Sequence, residues 1–240
     1  GDHRDLHSFP TRRSSDLLEQ GGGVVALVRM DDPEVKRLVE SDIAVVCVDR
    51  RMEDVRVDTI LSDNRAGAHK AVTHLIACGH ERIGFIGGIP RISTSMDRRK
   101  GYEQALAEHD VPVDPVLIRE GDSRWERGTD LTNELLDLAD PPTAIFTGNN
   151  LTTLGALEAI NVRGLAVPDD VALVGYDDIP WAMALNPPPT VIDQPGYEMG
   201  RRAARILLNR LASPDRSPTT VTLQPKLIVR QSCGGDAPDA

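Results

Sequence analysis

Four places in this chain gather side chains able to hold a small polar molecule. They are Asp63, the Ser93–Arg98 loop, Asn149 with Asn150, and Asp177 with Asp178. Taken singly, each is an ordinary helix N-cap or turn residue, because Asp, Asn, Ser and Thr satisfy free backbone N–H groups at such positions. Arg98 is different. A cation early in a helix opposes the helix dipole, so stability does not favour arginine there. Its planar guanidinium could instead grip two neighbouring ligand oxygens, the alternative being a surface arginine. Asp177 would be the complementary acceptor for ligand hydroxyls or ring N–H groups. The enzyme reading of Asp177-Asp178 is a paired-carboxylate acid/base site.

Catalytic signatures are missing from the sequence. Gly84-Phe85-Ile86-Gly87-Gly88 lacks the spacing of a dinucleotide fingerprint, and neither G-x-x-x-x-G-K-[ST] nor G-x-S-x-G occurs. His69 and His74 are five residues apart and His80 lies beyond a glycine. Neither spacing puts two imidazoles on one helix face, so surface or capping histidines are expected and no metal site. Cys47 in an apolar strand and Cys78 at a helix end read as small buried hydrophobes. No enzyme and no cofactor are expected.

The elements that must carry these residues alternate. Buried parallel strands are expected at Val24–Val28, Ile43–Val48, Thr59–Leu61, Arg82–Ile86, Thr143–Thr147 and Val171–Val174. Amphipathic helices fall between and after them: Pro33–Glu40, Arg65–Cys78, Asp97–His109, Trp125–Leu138, Leu151–Arg163 and Gly196–Leu211. Val221–Val229 is a final extended run. This is an α/β chain with helices covering parallel sheet. Polar groups at the carboxyl ends of strands in such sheets face the crevice where ligands sit, and the four places above recur at successive strand ends.

Composition narrows the partners. At roughly 150 residues per domain, 240 residues make one large domain or two small lobes. Two breaks, Gly87–Pro90 and Asn186–Pro189, favour two. A formal net charge of −10 argues against gripping a phosphate backbone unaided, and eight aromatic residues are too few for a single-strand stacking platform. No apolar run is long enough to span a membrane. Three scattered cysteines without framework spacing suggest reduced thiols in a cytosolic protein.

Residues 1–17 lack periodicity. They carry no apolar run for a secretory signal, and three Arg balance three Asp, against a basic DNA arm. The string HSFPTRRSSDL resembles translated sequencing-adapter read-through, so a non-native leader is expected. Residues 233–240 are expected to form a disordered tail.

The order of motifs carries a resemblance. It runs from His74–Gly88 (HLIACGHERIGFIGG) through Arg98-Arg99-Lys100-Gly101-Tyr102 and Pro142–Phe146 to Asn149 with Leu154–Leu157. It continues in Val167–Asp178 (VPDDVALVGYDD), Gln194-Pro195 with Met199-Gly200, and Val229–Ser232. In this order, over roughly Leu18–Ser232, the chain resembles the effector-binding domain of the lactose-repressor family of bacterial transcription regulators.

The resemblance implies a periplasmic-binding-protein-like fold. Its two lobes are parallel sheets flanked by helices, with a small effector, sugar or nucleobase-like, between them. Residues 18–89 with 194–218 would form the first lobe and 90–193 with 219–232 the second. Thr94, Arg98, Asn149 and Asp177 match family effector contacts, and Asp63 does so less securely. Asn150 stands where the family commonly has Asp. Ser123 stands where an aromatic often stacks on the effector, and Trp125 could substitute. By comparison the helix-turn-helix headpiece and the opening of the first lobe are missing, so the first lobe would be incomplete. The implied protein is a cytoplasmic, homodimeric regulator that binds operator DNA through that headpiece. Helices Leu151–Arg163 and Arg65–Cys78 are the expected dimer face. Arg91, Arg99 and Lys100 near Arg98 suggest a polar or anionic ligand, unless they are a solvated basic face. A periplasmic sugar-binding protein of a transporter is the alternative.

Overall fold

The computed structural model describes residues 23–26, 28 and 30–235. The leader expected at 1–17 and the tail beyond 235 lie outside the described residues. In chain order the elements are β1 (Gly23–Ala26), α1 (Pro33–Glu40), β2 (Ala44–Val48), β3 (Asp58–Ser62), α2 (Asn64–Ala77), β4 (Ile83–Gly87) and α3 (Ser93–Glu108). There follow β5 (Ile118–Glu120), α4 (Trp125–Leu136), β6 (Ala144–Thr147), α5 (Asn150–Val162), β7 (Ala172–Tyr176), β8 (Thr190–Asp193), α6 (Gly196–Ala212), β9 (Thr220–Leu223) and β10 (Lys226–Ile228).

The chain divides into two compact units. One holds residues up to 60 with 198–221, the other 61–197 with 222 onward. This division falls after Ile60, within β3, where the sequence suggests one after residue 89. β4 explains why: it sits inside the second unit's sheet between β5 and β6, so the Gly87–Pro90 break ends a strand and not a lobe. Helix Arg65–Cys78, expected in the first lobe, likewise belongs to the second unit.

In the first unit β1 pairs parallel with β2 and β2 with β3. Asp32 starts α1 by accepting from the N–H groups of Glu34 and Val35, with Pro33 in the first turn. The core gathers Val28, Val35, Ile43, Val45, Cys47 and Met52. Beside it a buried carboxylate, Asp58, accepts from Arg210 of α6 and from the backbone N–H of Thr219 at 2.8 Å.

The second unit is a six-stranded sheet ordered β10-β8-β7-β6-β4-β5, parallel except for β10 against β8. Alternation along each strand sends side chains to two cores. Phe85, Phe146, Val174 and Tyr176 face α2 and α3, packing with Ala68, Leu75, Tyr102 and Leu106. Ile86, Ile145 and Leu173 face α4 and α5, packing with Leu131, Leu135 and Ile160. Two layers of helix thus cover one sheet, as the strand–helix alternation predicts.

Three further differences have local causes. The expected run Val221–Val229 is broken near Pro225 into β9 and β10, which join different sheets, since proline cannot donate to a ladder. α3 begins at Ser93, so Ser93–Arg98 is helix and not loop. Cys233, placed in the expected tail, is fully buried in the second unit's core. Among the described residues no helix is long and apolar enough to cross a membrane.

Candidate ligand-binding site

All the site residues expected from sequence lie in the second unit, and most meet at the carboxyl ends of β4, β6 and β7. Arg98 is the hub. Only 7 % exposed, it donates from Nε to Asn64 Oδ1 at 2.7 Å and from Nη1 to the carbonyl of Gly148. Its Cζ stands 3.7 Å from the centroid of the Tyr176 ring. A guanidinium on an aromatic face gains from the ring quadrupole, more so when water is excluded. The cation opposing the dipole of α3 is thereby compensated by three neighbours that sequence spacing does not reveal.

Gly101 makes this placement possible. A Cβ there would run into the carbonyl oxygen of Arg65 and the side chain of Ala68, so only glycine lets α3 approach α2 this closely. Arg98, one turn earlier, then reaches Asn64 in the first turn of α2.

Two of the strand-end residues are caps, the ordinary reading of their types. Asn149 caps α5, its Oδ1 accepting from Thr152 N at 2.8 Å, while its Nδ2 donates to the carbonyl of Ser123 at 2.9 Å. Asp63 caps α2 through Ala66 N and accepts from Gln224 Nε2 at 2.8 Å. Its neighbour Asn64, not Asp63, holds Arg98. Ser123 has a positive φ of 67°, and its Oγ would lie 2.5 Å from a Cβ at Gly88, with Ser95 Oγ at 2.7 Å. Ser95, Ser123 and the backbone of Gly88 therefore form one polar patch, adjoining Asn149. Thr94 is buried in the first turn of α3.

Asp177 follows Tyr176 directly and takes φ of 72°. Aspartate tolerates this left-handed region better than most residues, and such strain clusters at functional sites. Its Oδ1 accepts from Gln194 Nε2 at 2.5 Å. Asp178 points elsewhere, accepting two bonds from Arg230 at 2.9 and 2.7 Å. The two carboxylates have different partners, so the shared-proton arrangement of an acid/base pair is not present. Hydrogen bonds from Arg230 hold the Asp178 carboxyl below its usual range.

Two expected contributors have other partners here. Trp125 Nε1 donates to Glu158 Oε2 at 2.5 Å on α5. The indole, 40 % exposed, borders a separate groove of about 660 Å³ with Leu154, Leu157 and Pro187. Two residues after Ser123 the chain has entered α4, which turns the side chain away. The anionic-ligand suggestion also loses Arg99, which pairs with Glu103 at 2.9 Å and Glu120 at 2.6 Å. These pairs border a cavity of about 390 Å³ that reaches Gly88 and Ser95.

Known proteins resemble this fold and sequence. Residues 72–233 match the periplasmic binding protein-like domain family. The chain is 30 % identical over 203 residues to the probable HTH-type transcriptional repressor ExuR of Bacillus subtilis, covering 85 % of this chain and 61 % of that protein. It thus spans about three-fifths of that relative's length. Two solved structures superpose with a TM-score of 0.85. The complex of the transcriptional regulator CelR with cellobiose is 34 % identical, over 91 % of this chain and 68 % of that one. A LacI-family regulatory protein from Chloroflexus aggregans is 32 % identical, over 93 % and 83 %. Carrying this fold and this likeness over most of its length, the chain belongs to the LacI family of regulators and contains their periplasmic binding protein-like domain.

Proposed function

We propose that the second unit binds a small polyhydroxylated effector, a carbohydrate, and that this binding controls a transcription regulator. The observation that carries the reading is the fixed guanidinium of Arg98. Two of its five N–H donors and one ring face are occupied by protein groups, which orients the rest. Thr94, Ser123, Asn149 and Asp177 supply hydroxyl, amide and carboxylate partners around it, the mixture that recognises vicinal hydroxyls. Asp63 acts at a distance, as the cap that holds α2. The binding role of CelR toward cellobiose supports the ligand class.

In this reading the chain is no enzyme: no nucleophile–base pair accompanies the site residues, and the related proteins are repressors by name. An effector with unequal affinity for two conformations shifts their populations, and about 1–3 kcal/mol of coupling changes operator affinity about 5–150-fold. Operator contact belongs to a helix-turn-helix of the kind named in the Bacillus relative, because a net charge of −10 suits this chain poorly to DNA phosphates. The same kinship favours a cytoplasmic regulator over a transporter's periplasmic protein. Dimerisation is assigned to α5, where Leu151 is exposed, together with exposed Trp181 and Met183.

A thermal-shift screen of monosaccharides, disaccharides, sugar phosphates and nucleosides tests the proposal. Saturable stabilisation by a neutral sugar is expected. Stabilisation by nucleosides or phosphates alone would contradict the carbohydrate assignment.

A further inference from the structure

A second constellation stands apart from the ligand site. His74, Cys78 and Cys233 bring their ligand atoms within 4.8 Å of one another, the one such group of three or more His, Cys, Asp or Glu side chains among the described residues. We propose that these three side chains form a binding site for one thiophilic metal ion, zinc being the expected occupant.

The geometry comes from two separate parts of the chain. His74 and Cys78 are four residues apart on α2 and its C-cap, which puts them on one face a turn apart. Cys233 arrives from the segment after β10, fully buried, with Thr190 Oγ1 donating to its sulfur at 3.2 Å. His74 Nε2 lies 3.2 Å from Cys233 Sγ and 3.7 Å from Cys78 Sγ. Tetrahedral zinc, with bonds of about 2.3 Å to sulfur and about 2.0 Å to nitrogen, separates such donors by about 3.5 Å. The two His–Cys spacings bracket that value, and all three ligand atoms already lie within 4.8 Å of one another, so an ion could draw them in by side-chain adjustment. A plain Cys–His hydrogen bond accounts for one of these contacts, not for the second thiol on the same nitrogen.

Chemistry selects the ion. Two sulfurs and an imidazole are soft to borderline donors, matched to zinc or cuprous copper and poorly to magnesium or calcium. Cys78 and His74 are half-buried, so the site opens toward solvent. Three protein donors leave a fourth position for water. Gly235 packs close against the cluster, where a Cβ would collide with Cys78 Sγ. Binding one zinc ion to two thiols and a neutral imidazole forms two thiolate–metal bonds and one nitrogen–metal bond, and releases two protons to solvent. The ion would tie the end of α2 to the chain after β10.

The test uses the full chain, stripped with chelator and kept reduced and anaerobic, titrated with Co²⁺ as a spectroscopic probe. The expected result is thiolate-to-cobalt charge transfer with intense tetrahedral ligand-field bands, saturating at one ion per chain and displaced by Zn²⁺. Cys78→Ser and His74→Ala are each expected to weaken binding by roughly tenfold or more, and Cys47→Ser to change nothing. Cys233 is fully buried, so it is left unmutated and Cys78 is the reporter: Zn²⁺ should protect the half-buried Cys78 of the unmodified protein from alkylation, mapped by mass spectrometry. Missing charge-transfer bands, bands unchanged in Cys78→Ser, or equal alkylation with and without Zn²⁺ would overturn the proposal.

Discussion

Arg98 lies with its guanidinium carbon 3.7 Å from the centre of the Tyr176 ring, on the strand whose next residue is Asp177. One stacked contact therefore ties the cation and the carboxylate of the proposed site to a fixed geometry. Tyr176 is itself buried, which pushes its hydroxyl up to about 12, so the ring stays neutral at any physiological pH. Tyr176→Leu removes the stacking but not the charge. The expected loss is about 0.5–2 kcal/mol in unfolding stability, measured by urea denaturation, with effector affinity falling because the guanidinium loses its orientation.

Close approach of α3 to α2 gives a second prediction. Gly101→Ala places a methyl against the Arg65 carbonyl, which is backbone and cannot swing aside. A cost of about 1–3 kcal/mol is expected from the resulting overpacking. The same substitution should weaken ligand binding, since it displaces the helix that carries Thr94 and Arg98.

Trp125 separates the sequence reading from the structural one. Its indole engages Glu158 on α5 and not the ligand patch. Trp125→Phe should leave effector affinity, measured by titration calorimetry, within about twofold of the unmodified protein. A large loss would return Trp125 to the site.

The first unit has its own weak point. Arg210 is the charged partner of Asp58, a carboxylate with no exposed side-chain surface. Arg210→Met leaves that charge buried, at an expected cost of about 3–5 kcal/mol, seen as a lowered urea midpoint. Replacing both residues together with apolar ones should cost less than the single change.

Acid sensitivity follows from Asp178. Arg230 depresses its carboxyl below the ordinary 3.8 in the folded protein, so as pH falls the unfolded chain takes up this proton first. The stabilisation is complete well above 3.8 and is lost as pH drops through that value toward the folded one. Asp178→Asn should be less stable at neutral pH and show a shallower acid limb in melting temperature against pH. An acid limb unchanged by the substitution would remove Asp178 from the account.

Local rules reached some of this and distance hid the rest. Asp63 and Asn149 were legible because an N-cap is a property of four consecutive residues. Arg98 stood out because its position gains nothing from the helix dipole. Its anchors Asn64, Gly148 and Tyr176 were not legible, since they come from three other elements. The start of α3 carries little local signal, because Ile92, its N-cap, makes no side-chain capping bond. β5 is a three-residue edge strand without a buried run, too short to show in the hydrophobic pattern. The pairing of His74 with Cys78 was open to a search for mixed ligands four residues apart, whereas their meeting with Cys233 depends on the fold.

In the proposed site Arg98 holds the effector. Titration calorimetry of the sugar found by screening, against the unmodified protein and Arg98→Ala with matched circular dichroism, tests it most directly. Loss of a charged donor to the ligand predicts at least about tenfold weaker binding, from roughly 1.5–3 kcal/mol. An affinity unchanged in the folded variant would exclude Arg98 from the site.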